Sequence, residues 1–211
     1  MTVTAALFDF GGVILTSPFE AFARHEAEHG LPDGFLRSLN TRNPDTNAWA
    51  QLERGEVDVS GFAERFEAEA RDAGHDVDGA EVLALLSGDV RPEMVEAVRR
   101  CGERLKTALL TNNFVGFAGD GDSNGAHPHA EVLELFDVIV ESSRAGVRKP
   151  DPRFYELACE QLAISPAEAV FLDDLGINLK PARAMGMTTI KVTDPATAIS
   201  ELESIVGFPL H

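Results

Sequence analysis

The sequence has little cysteine and no long apolar run. Its two cysteines, Cys101 and Cys159, show no metal-ligand spacing and lie in stretches of helical character, which favours reduced, buried thiols over a disulfide. No apolar stretch reaches the length that spans a bilayer, and the N-terminal apolar run carries an acid and no basic leader. These absences predict a cytoplasmic protein without a membrane span.

Basic residues are also scarce, because 18 lysines and arginines stand against 35 aspartates and glutamates, a formal net charge of -17. Such a surface repels the phosphates of nucleic acids and of anionic membranes, so neither is an expected partner. A small phosphate ester remains compatible with this charge, because a bound metal and one lysine reverse the local field. The sequence does not distinguish a monomer from a homodimer.

Short apolar runs without polar alternation recur along the chain, separated by stretches of helical character. Runs of this kind are typical of strands buried on both faces of a parallel sheet, and the strand–helix alternation predicts a doubly wound α/β fold. The predicted strands are residues 5–10, 107–111, 138–140, 170–172 and 188–192, and the predicted helices between them are residues 92–104, 152–162 and 177–185.

Residues 18–87 break this rhythm. They contain no convincing strand, are rich in Ala, Glu, Arg and Phe at helical spacing, and exceed the length that one β–α crossover needs. We therefore predict a small helical cap at residues 18–87, inserted after the first strand into a core of residues 1–17 and 88–211. The alternative is that these helices are simply the first helices of the core. The polar, glycine-rich residues 116–129 predict a surface loop.

Four polar segments stand where predicted strands end, which is where α/β folds build their sites. Asp9 is followed by Gly11 and Gly12, which let the backbone come close to a phosphate or a metal. Thr111 ends the second strand and is followed by Asn112, so its hydroxyl and the next N–H groups are able to hold phosphoryl oxygens. Taken singly, both segments are also compatible with ordinary turn chemistry.

A lysine and two acids complete the set. Lys149 precedes Pro150 and is held extended on a stiff loop, where its charge is able to neutralise both a nucleophile and a phosphoryl group. Asp173 and Asp174 end an apolar strand, and adjacent carboxylates repel each other unless a cation lies between them and the substrate. Oxygen ligands from two strand ends suit Mg²⁺. A helix N-cap explains one of these aspartates, but not both together with Asp9.

The order and spacing of these four segments resemble the haloacid dehalogenase superfamily across essentially the whole chain. The stretches TNNF, RKPDPRFYELAC and FLDDLGINLK are most similar to the phosphatase-like domains attached to soluble epoxide hydrolase and to acyl-CoA dehydrogenase family member 10. The resemblance implies a phosphatase with a Rossmann-like core, Mg²⁺ as cofactor and a small phosphorylated metabolite as substrate.

The resemblance also implies how the reaction proceeds. Asp9 attacks phosphorus and forms an aspartyl-phosphate, which water then hydrolyses. Thr111 and Lys149 hold the phosphoryl oxygens in the transition state, where positioning and charge stabilisation supply most of the catalysis. Gly12 and Asn112 are expected to contact the bound phosphate.

The same resemblance places a magnesium ion beside the nucleophile. Its implied ligands are the carboxylate of Asp9, the main-chain oxygen of Gly11 and the carboxylate of Asp174. Asp173 is left with three roles, as a direct ligand, as a partner of a metal-bound water, or as the anchor of Lys149. The metal shields the approach of an anionic carboxylate to an anionic ester.

Gly11 departs from the family pattern, because most phosphatases of the superfamily have an aspartate at this position. That aspartate protonates the leaving group and then activates water, and glycine does neither. General acid–base catalysis contributes roughly 10²–10⁴-fold, so the departure predicts slow hydrolysis biased towards good leaving groups. Two alternatives stay open. One is a 2-haloacid dehalogenase-type hydrolase, which Asp173 and Asp174 disfavour, and the other is a binding or regulatory module with weakened catalysis.

The cap is expected to set specificity by covering the strand ends and excluding water. Its candidate contacts with substrate are Phe19, Phe22, Trp49 and Arg54. The aromatic residues also suit the cap's own core, and Arg54 also suits a solvated helix surface. Trp49 and Arg54 are the two that we predict to bind substrate.

Overall fold

A five-stranded sheet lies at the centre of the molecule. The computed structural model describes residues 2–113 and 129–211. The strands are β1 (Ala5–Phe8), β2 (Lys106–Thr111), β3 (Val138–Glu141), β4 (Ala169–Asp173) and β5 (Thr188–Lys191). They pair in parallel in the order β3-β2-β1-β4-β5. Because β1 and β4 are neighbours, the polar residues that follow them meet at one edge of the sheet.

Helices cover both faces of this sheet. They are α1 (Phe19–His29), α2 (Phe35–Thr41), α3 (Ala48–Glu53), α4 (Val59–Asp72), α5 (Gly79–Ala84), α6 (Pro92–Gly102), α7 (Ala130–Leu133), α8 (Ser142–Ala145), α9 (Pro152–Leu162), α10 (Gly176–Ala184) and α11 (Pro195–Val206). Hydrophobic side chains of α6 and α11 pack on one face, and those of α9 and α10 pack on the other. The predicted doubly wound parallel sheet is confirmed.

The central strand shows why its sequence does not alternate in polarity. All four residues of β1 are fully buried. Ala6 and Phe8 point into the core beneath α6 and α11, whereas Ala5 and Leu7 point into the core beneath α9 and α10. Burial on both faces requires apolar residues at every position, as expected for a parallel sheet.

Helices α1 to α5 follow β1 and share a hydrophobic cluster that is separate from the two clusters on the sheet. Its aromatic members are Phe22, Phe35, Trp49, Phe62 and Phe66. The chain returns to the sheet side through an antiparallel bridge between Leu15 and Val90. The cap boundaries at residues 18 and 87 stay a prediction.

Three smaller predictions concern the rest of the chain. Cys101 and Cys159 are free, buried thiols, as predicted. The predicted loop at residues 116–129 lies outside the described residues except for His129, whose ring packs edge-on against Phe10. No helix within residues 2–113 and 129–211 is both long enough and apolar enough to cross a bilayer.

Candidate active site

Asp9 lies at the C-terminal end of the central strand. Its backbone N–H donates to the carbonyl of Leu172 on β4 at 2.9 Å, so it sits between the ends of two neighbouring strands. Its Oδ1 atom accepts the N–H of Phe10 at 2.7 Å and begins a tight turn over Phe10–Ile14. This turn ends β1 two residues before the predicted end. The Asp9 side chain is nearly buried and lines a cavity.

The two glycines of this turn differ in what their positions allow. Gly12 has φ +79°, and a Cβ atom there would lie 2.3 Å from Oδ2 of Asp174. Only glycine therefore fits without displacing that carboxylate. Gly11 has φ -70° and ψ 130°, an ordinary extended conformation. A Cβ atom on Gly11 would meet no described heavy atom within 4 Å.

Asp173 is the most enclosed acid of the site, with 0% exposure. Its Oδ1 accepts the N–H of Leu175 at 2.8 Å, and the side-chain amide of Asn178 donates to both of its oxygens at 3.1 and 3.0 Å. Its Oδ2 accepts from Nζ of Lys149 at 2.8 Å. These contacts favour the anchoring role among the three that the sequence left open.

Lys149 joins the two strand ends. Its Nζ lies 2.7 Å from Oδ1 of Asp9 and 2.8 Å from Oδ2 of Asp173, and the residue is 2% exposed. Burial alone lowers the pKa of this amine, but the carboxylates of Asp173 and Asp9 outweigh it and raise the pKa to about 12. The amide of Asn112 brackets the Lys149 backbone, because it accepts the N–H at 2.9 Å and donates to the carbonyl at 3.0 Å.

The carboxylates outnumber the positive charge at this point. Burial raises the pKa of Asp9 to about 8, helped by repulsion from Asp173 and Asp174 and opposed by Lys149. Burial and Asp173 likewise raise the pKa of Asp174 to about 6. Oxygens of Asp9, Asp173 and Asp174 all lie within 4.8 Å of one another. Three hard oxygen donors beside one lysine fit a divalent cation such as Mg²⁺.

A cavity of about 190 Å³ opens above these groups. Thr111, at the end of β2, lines it and is 8% exposed. Asn112 and Asp174 also line it, so the structure brings all four predicted segments to one place. Most of the remaining wall is apolar and comes from both the sheet side and the cap, namely from Phe10, Leu15, Pro18, Phe19, Phe22, Trp49, Leu86 and Leu175.

The two cap residues predicted to bind substrate lie in different surroundings. Trp49 lines the cavity but is 6% exposed and packs against Phe62, with ring centroids 4.6 Å apart. The described residues that line the cavity do not include Arg54, whose Nε donates to Glu56 at 2.6 Å. The position of Arg54 therefore does not support the prediction that it binds substrate.

Three further residues were missed in the sequence. Glu53 lines the cavity, accepts a hydrogen bond from the Asn112 amide at 3.2 Å and forms an ion pair with Arg148, which joins α3 to the loop carrying Lys149. Arg91 donates to the carbonyl of Gly12 at 2.9 Å. Glu53 follows Trp49 by one helical turn, and this spacing is a signal that could have indicated it.

Asn178 is a fourth residue that the sequence did not single out. It is 5% exposed, and besides its two bonds to Asp173 its carbonyl accepts from the hydroxyl of Tyr155 at 2.7 Å. Its position in the first turn of α10, five residues after Asp173, brings the amide back towards the strand end. An asparagine in a strand–turn–helix segment is common, so the sequence alone did not distinguish it from a cap.

The sequence matches the family model for haloacid dehalogenase-like hydrolase over residues 3–186. The chain belongs to this family. It is 37% identical over 98% of its length to mouse acyl-CoA dehydrogenase family member 10 and 34% identical over its whole length to pig bifunctional epoxide hydrolase 2. It spans 19% of the first protein and 40% of the second. The predicted superfamily and both predicted relatives are confirmed.

Full-length matches of comparable size also exist. This haloacid dehalogenase-like hydrolase is 30% identical to a sesquiterpene phosphatase from Aspergillus oryzae, with 98% of each chain covered. A magnesium and inorganic phosphate complex of a family enzyme from Bacteroides thetaiotaomicron has a TM-score of 0.59 at 20% identity, covering 90% of this chain and 93% of that one. L-2-haloacid dehalogenase from Xanthobacter autotrophicus has a TM-score of 0.62 at 17% identity, and the match covers 97% of this chain and 84% of that one. The fold thus occurs both in an enzyme that binds magnesium and phosphate and in a dehalogenase.

Proposed function

We propose that this chain hydrolyses phosphoric monoesters with Mg²⁺ as cofactor and Asp9 as the nucleophile. The observation that carries the proposal is the contact of Asp9 with Lys149 at 2.7 Å, beneath a cavity and within a cluster that also holds the carboxylates of Asp173 and Asp174. One lysine leaves two of the three negative charges unbalanced, and a divalent cation balances these two. The sesquiterpene phosphatase and the magnesium–phosphate complex among the relatives support the same chemistry.

Each chemical step can be assigned to a group of this chain. A carboxylate oxygen of Asp9 forms a bond to phosphorus while the bond from phosphorus to the leaving oxygen breaks. Lys149 neutralises charge on the nucleophile and on the phosphoryl oxygens, and the hydroxyl of Thr111 donates to one of those oxygens. Water then attacks the phosphorus of the aspartyl-phosphate, which releases inorganic phosphate and restores Asp9.

Asp9, Asp174 and the main-chain oxygen of Gly11 would hold the cation. Bound there, Mg²⁺ supplies positive charge that lets a carboxylate approach an anionic ester. Asp173 has its oxygens occupied by Leu175, Asn178 and Lys149, so we assign it to holding the lysine. Asn112 supports Asp173 in this role, because the Asn112 amide holds the Lys149 backbone through two hydrogen bonds.

The cavity wall indicates which esters fit. Phe19, Phe22 and Trp49 lie on the cap side, and Phe10 and Leu15 lie on the sheet side. Apolar walls of this kind favour a substrate whose organic part is apolar or aromatic. Gly11 supplies no proton to the leaving oxygen, so esters with acidic alcohols are the better substrates. Both arguments point to aryl phosphates as the first substrates to test.

Hydrolysis is expected to depend steeply on the leaving group. Across a series of substituted phenyl phosphates and alkyl phosphates, kcat/KM should fall as the pKa of the alcohol rises, because no side chain at Gly11 protonates the leaving oxygen. The measurement is phosphate release with excess Mg²⁺ and with a chelator, and turnover should disappear in the chelator. If kcat/KM did not change with the pKa of the alcohol and alkyl phosphates turned over fast, the role given to Gly11 would be wrong.

Gly12→Ala is expected to lower kcat/KM by about 10²-fold, an effect that a 1 Å misplacement in an active site can have. The added methyl would overlap the carboxylate of Asp174, and φ +79° is strained for alanine. A Mg²⁺ titration of phenyl phosphate hydrolysis should show a raised half-saturating concentration. Gly11→Ala, with open space at Cβ, serves for comparison and should change the Mg²⁺ dependence far less. Equal effects of both substitutions would contradict the proposed position of Asp174.

The second candidate function is a binding module with weakened catalysis, which Gly11 favours. Beryllium fluoride, a mimic of an acyl phosphate, separates the two functions, because only a competent site traps it on Asp9 in the presence of Mg²⁺. Dehalogenation is disfavoured, since Asp173 and Asp174 beside Asp9 would repel a carboxylate substrate without a cation. Metal-independent chloride release from 2-haloacids would reverse that preference.

A further inference from the structure

A second group of metal-ligating side chains lies in the cap, outside the cavity above Asp9. His25 and His29 are one turn apart on α1, with ring centroids 4.0 Å apart, and Glu81 lies on α5. One ligand atom from each of the three residues lies within 4.8 Å of the other two. His25 is nearly buried, whereas His29 and Glu81 are exposed. The arrangement is open on one side, where water can complete a coordination shell.

The hydrogen bonding of His29 prepares it for a metal. Its Nδ1 lies 2.9 Å from the carbonyl oxygen of His25. A carbonyl only accepts, so Nδ1 carries the proton of this contact, and in the neutral ring Nε2 then holds the lone pair. Metal-binding histidines almost always donate their other ring N–H to a carbonyl, a carboxylate or water, which fixes the tautomer. His29 therefore already has the tautomer that a ligand requires.

The local charge also suits a cation. The surrounding cavity is lined by the acids Glu67, Asp76, Asp78 and Glu81, and the one arginine or lysine among the described residues lining it is Arg71. Two imidazoles and a carboxylate form a nitrogen-rich donor set that suits Zn²⁺ and not Mg²⁺. A water molecule from the open side would take the fourth position.

We propose that His25, His29 and Glu81 bind a zinc ion that ties α1 to α5. The sequence HEAEH at residues 25–29 places both histidines on one helical face, the spacing of metallopeptidase helices. The acid inside that motif is not available here, because the two oxygens of Glu26 accept the N–H groups of Gly34 and Leu36 at 2.8 Å each. The site is thus structural and carries no peptidase activity.

The proposed ion has a consequence for the active-site cavity. Phe19 and Phe22, on the same helix α1 as both histidines, line that cavity. Zinc that ties α1 to α5 would therefore stiffen the cap side of its wall. Because zinc binds the native cap and not the unfolded chain, it should raise Tm.

The test is zinc binding to the purified chain in excess Mg²⁺, which occupies the carboxylates at Asp9. We expect one zinc per chain by equilibrium dialysis and a zinc-dependent rise in Tm. His29→Ala, at an exposed position, should weaken binding at least about tenfold, since even a hydrogen-bond partner of a ligand typically changes affinity by 10–100-fold. Glu81→Gln should act in the same direction, and both should remove the rise in Tm.

Two matched variants make the outcome decisive. His211→Ala removes an exposed histidine that pairs with Glu203 and should keep zinc binding. Asp174→Asn should also keep it, because the proposed ligands are elsewhere. Zinc binding that survives His29→Ala and Glu81→Gln, or that disappears with Asp174→Asn, would overturn the proposal. Absence of zinc binding to the unaltered chain would overturn it as well.

Discussion

Asp9→Asn is expected to lower kcat for aryl phosphate hydrolysis by roughly 10⁴–10⁶-fold, the range seen when a triad residue of a covalent-catalysis site is removed. Asparagine has nearly the same shape, and its Oδ1 can still accept the N–H of Phe10 that begins the turn after β1. It offers no anionic oxygen to attack phosphorus, and it removes one of the two acids that hold Nζ of Lys149. The measurement is single-turnover phosphate release with saturating Mg²⁺.

A matched substitution separates loss of chemistry from loss of folding. Asp58 also uses Oδ1 to accept a backbone N–H, that of Gly61 at 2.8 Å, at the start of α4. It does not line the cavity above Asp9, so Asp58→Asn should keep full activity. Asp9→Asn should also fail to trap beryllium fluoride while keeping its circular dichroism spectrum. If Asp9→Asn retained more than a tenth of the activity, Asp9 would not be the nucleophile.

Much of the core could be predicted from the sequence because both faces of the sheet are covered. In a chain with this strand–helix rhythm, a continuous apolar run such as that of β1 is typical of a strand buried on both faces. The predicted end of that strand was two residues too late. Phe10 is apolar and continues the run, but the Asp9 side chain accepts its N–H and diverts the backbone into a turn. Side-chain hydrogen bonds of this kind leave no hydrophobic signal.

The sequence predicted which residues form the candidate site better than it predicted the hydrogen bonds between them. Strand-end position was enough to bring together Asp9, Thr111 and the Asp173–Asp174 pair, whereas Lys149 reaches them from the loop before α9. It did not decide which partner each oxygen would meet, since that depends on side-chain rotamers and on neighbours such as Asn178. Asp173 shows the difference, because its contacts favour the anchor role over direct metal binding.

The cap shows a second limit of sequence reasoning. Neighbouring residues on a helix point about 100° apart, so an error of one position turns the side chain away from the cavity. Glu53 lines the cavity and pairs with Arg148. Arg54 turns to Glu56 instead. Polar residues are dense in this stretch, so hydrophobic periodicity did not fix the direction of either side chain.

Gly11→Asp is expected to accelerate hydrolysis of alkyl phosphates by about 10²-fold, with roughly 10⁴-fold as the ceiling for general acid–base catalysis. The backbone at Gly11 is already suitable for a side chain, because φ is -70° and a Cβ atom there would meet no described heavy atom within 4 Å. The residue lines the cavity two positions after Asp9, so a carboxyl group there can reach the leaving oxygen. The measurement is kcat/KM for paired alkyl and aryl phosphates.

The gain should be selective for poor leaving groups. An alkoxide needs a proton as the bond to phosphorus breaks, whereas a nitrophenolate is stable without one, so the dependence on leaving-group pKa should flatten. Gly11→Asn has the same size and cannot donate or accept the proton in this way, so it should bring no gain. The new carboxylate adds to the negative charge of Asp9, Asp173 and Asp174, and excess Mg²⁺ is needed to offset it. Equal acceleration of both ester classes, or equal gains from Asp and Asn, would show that the missing acid is not what limits this enzyme.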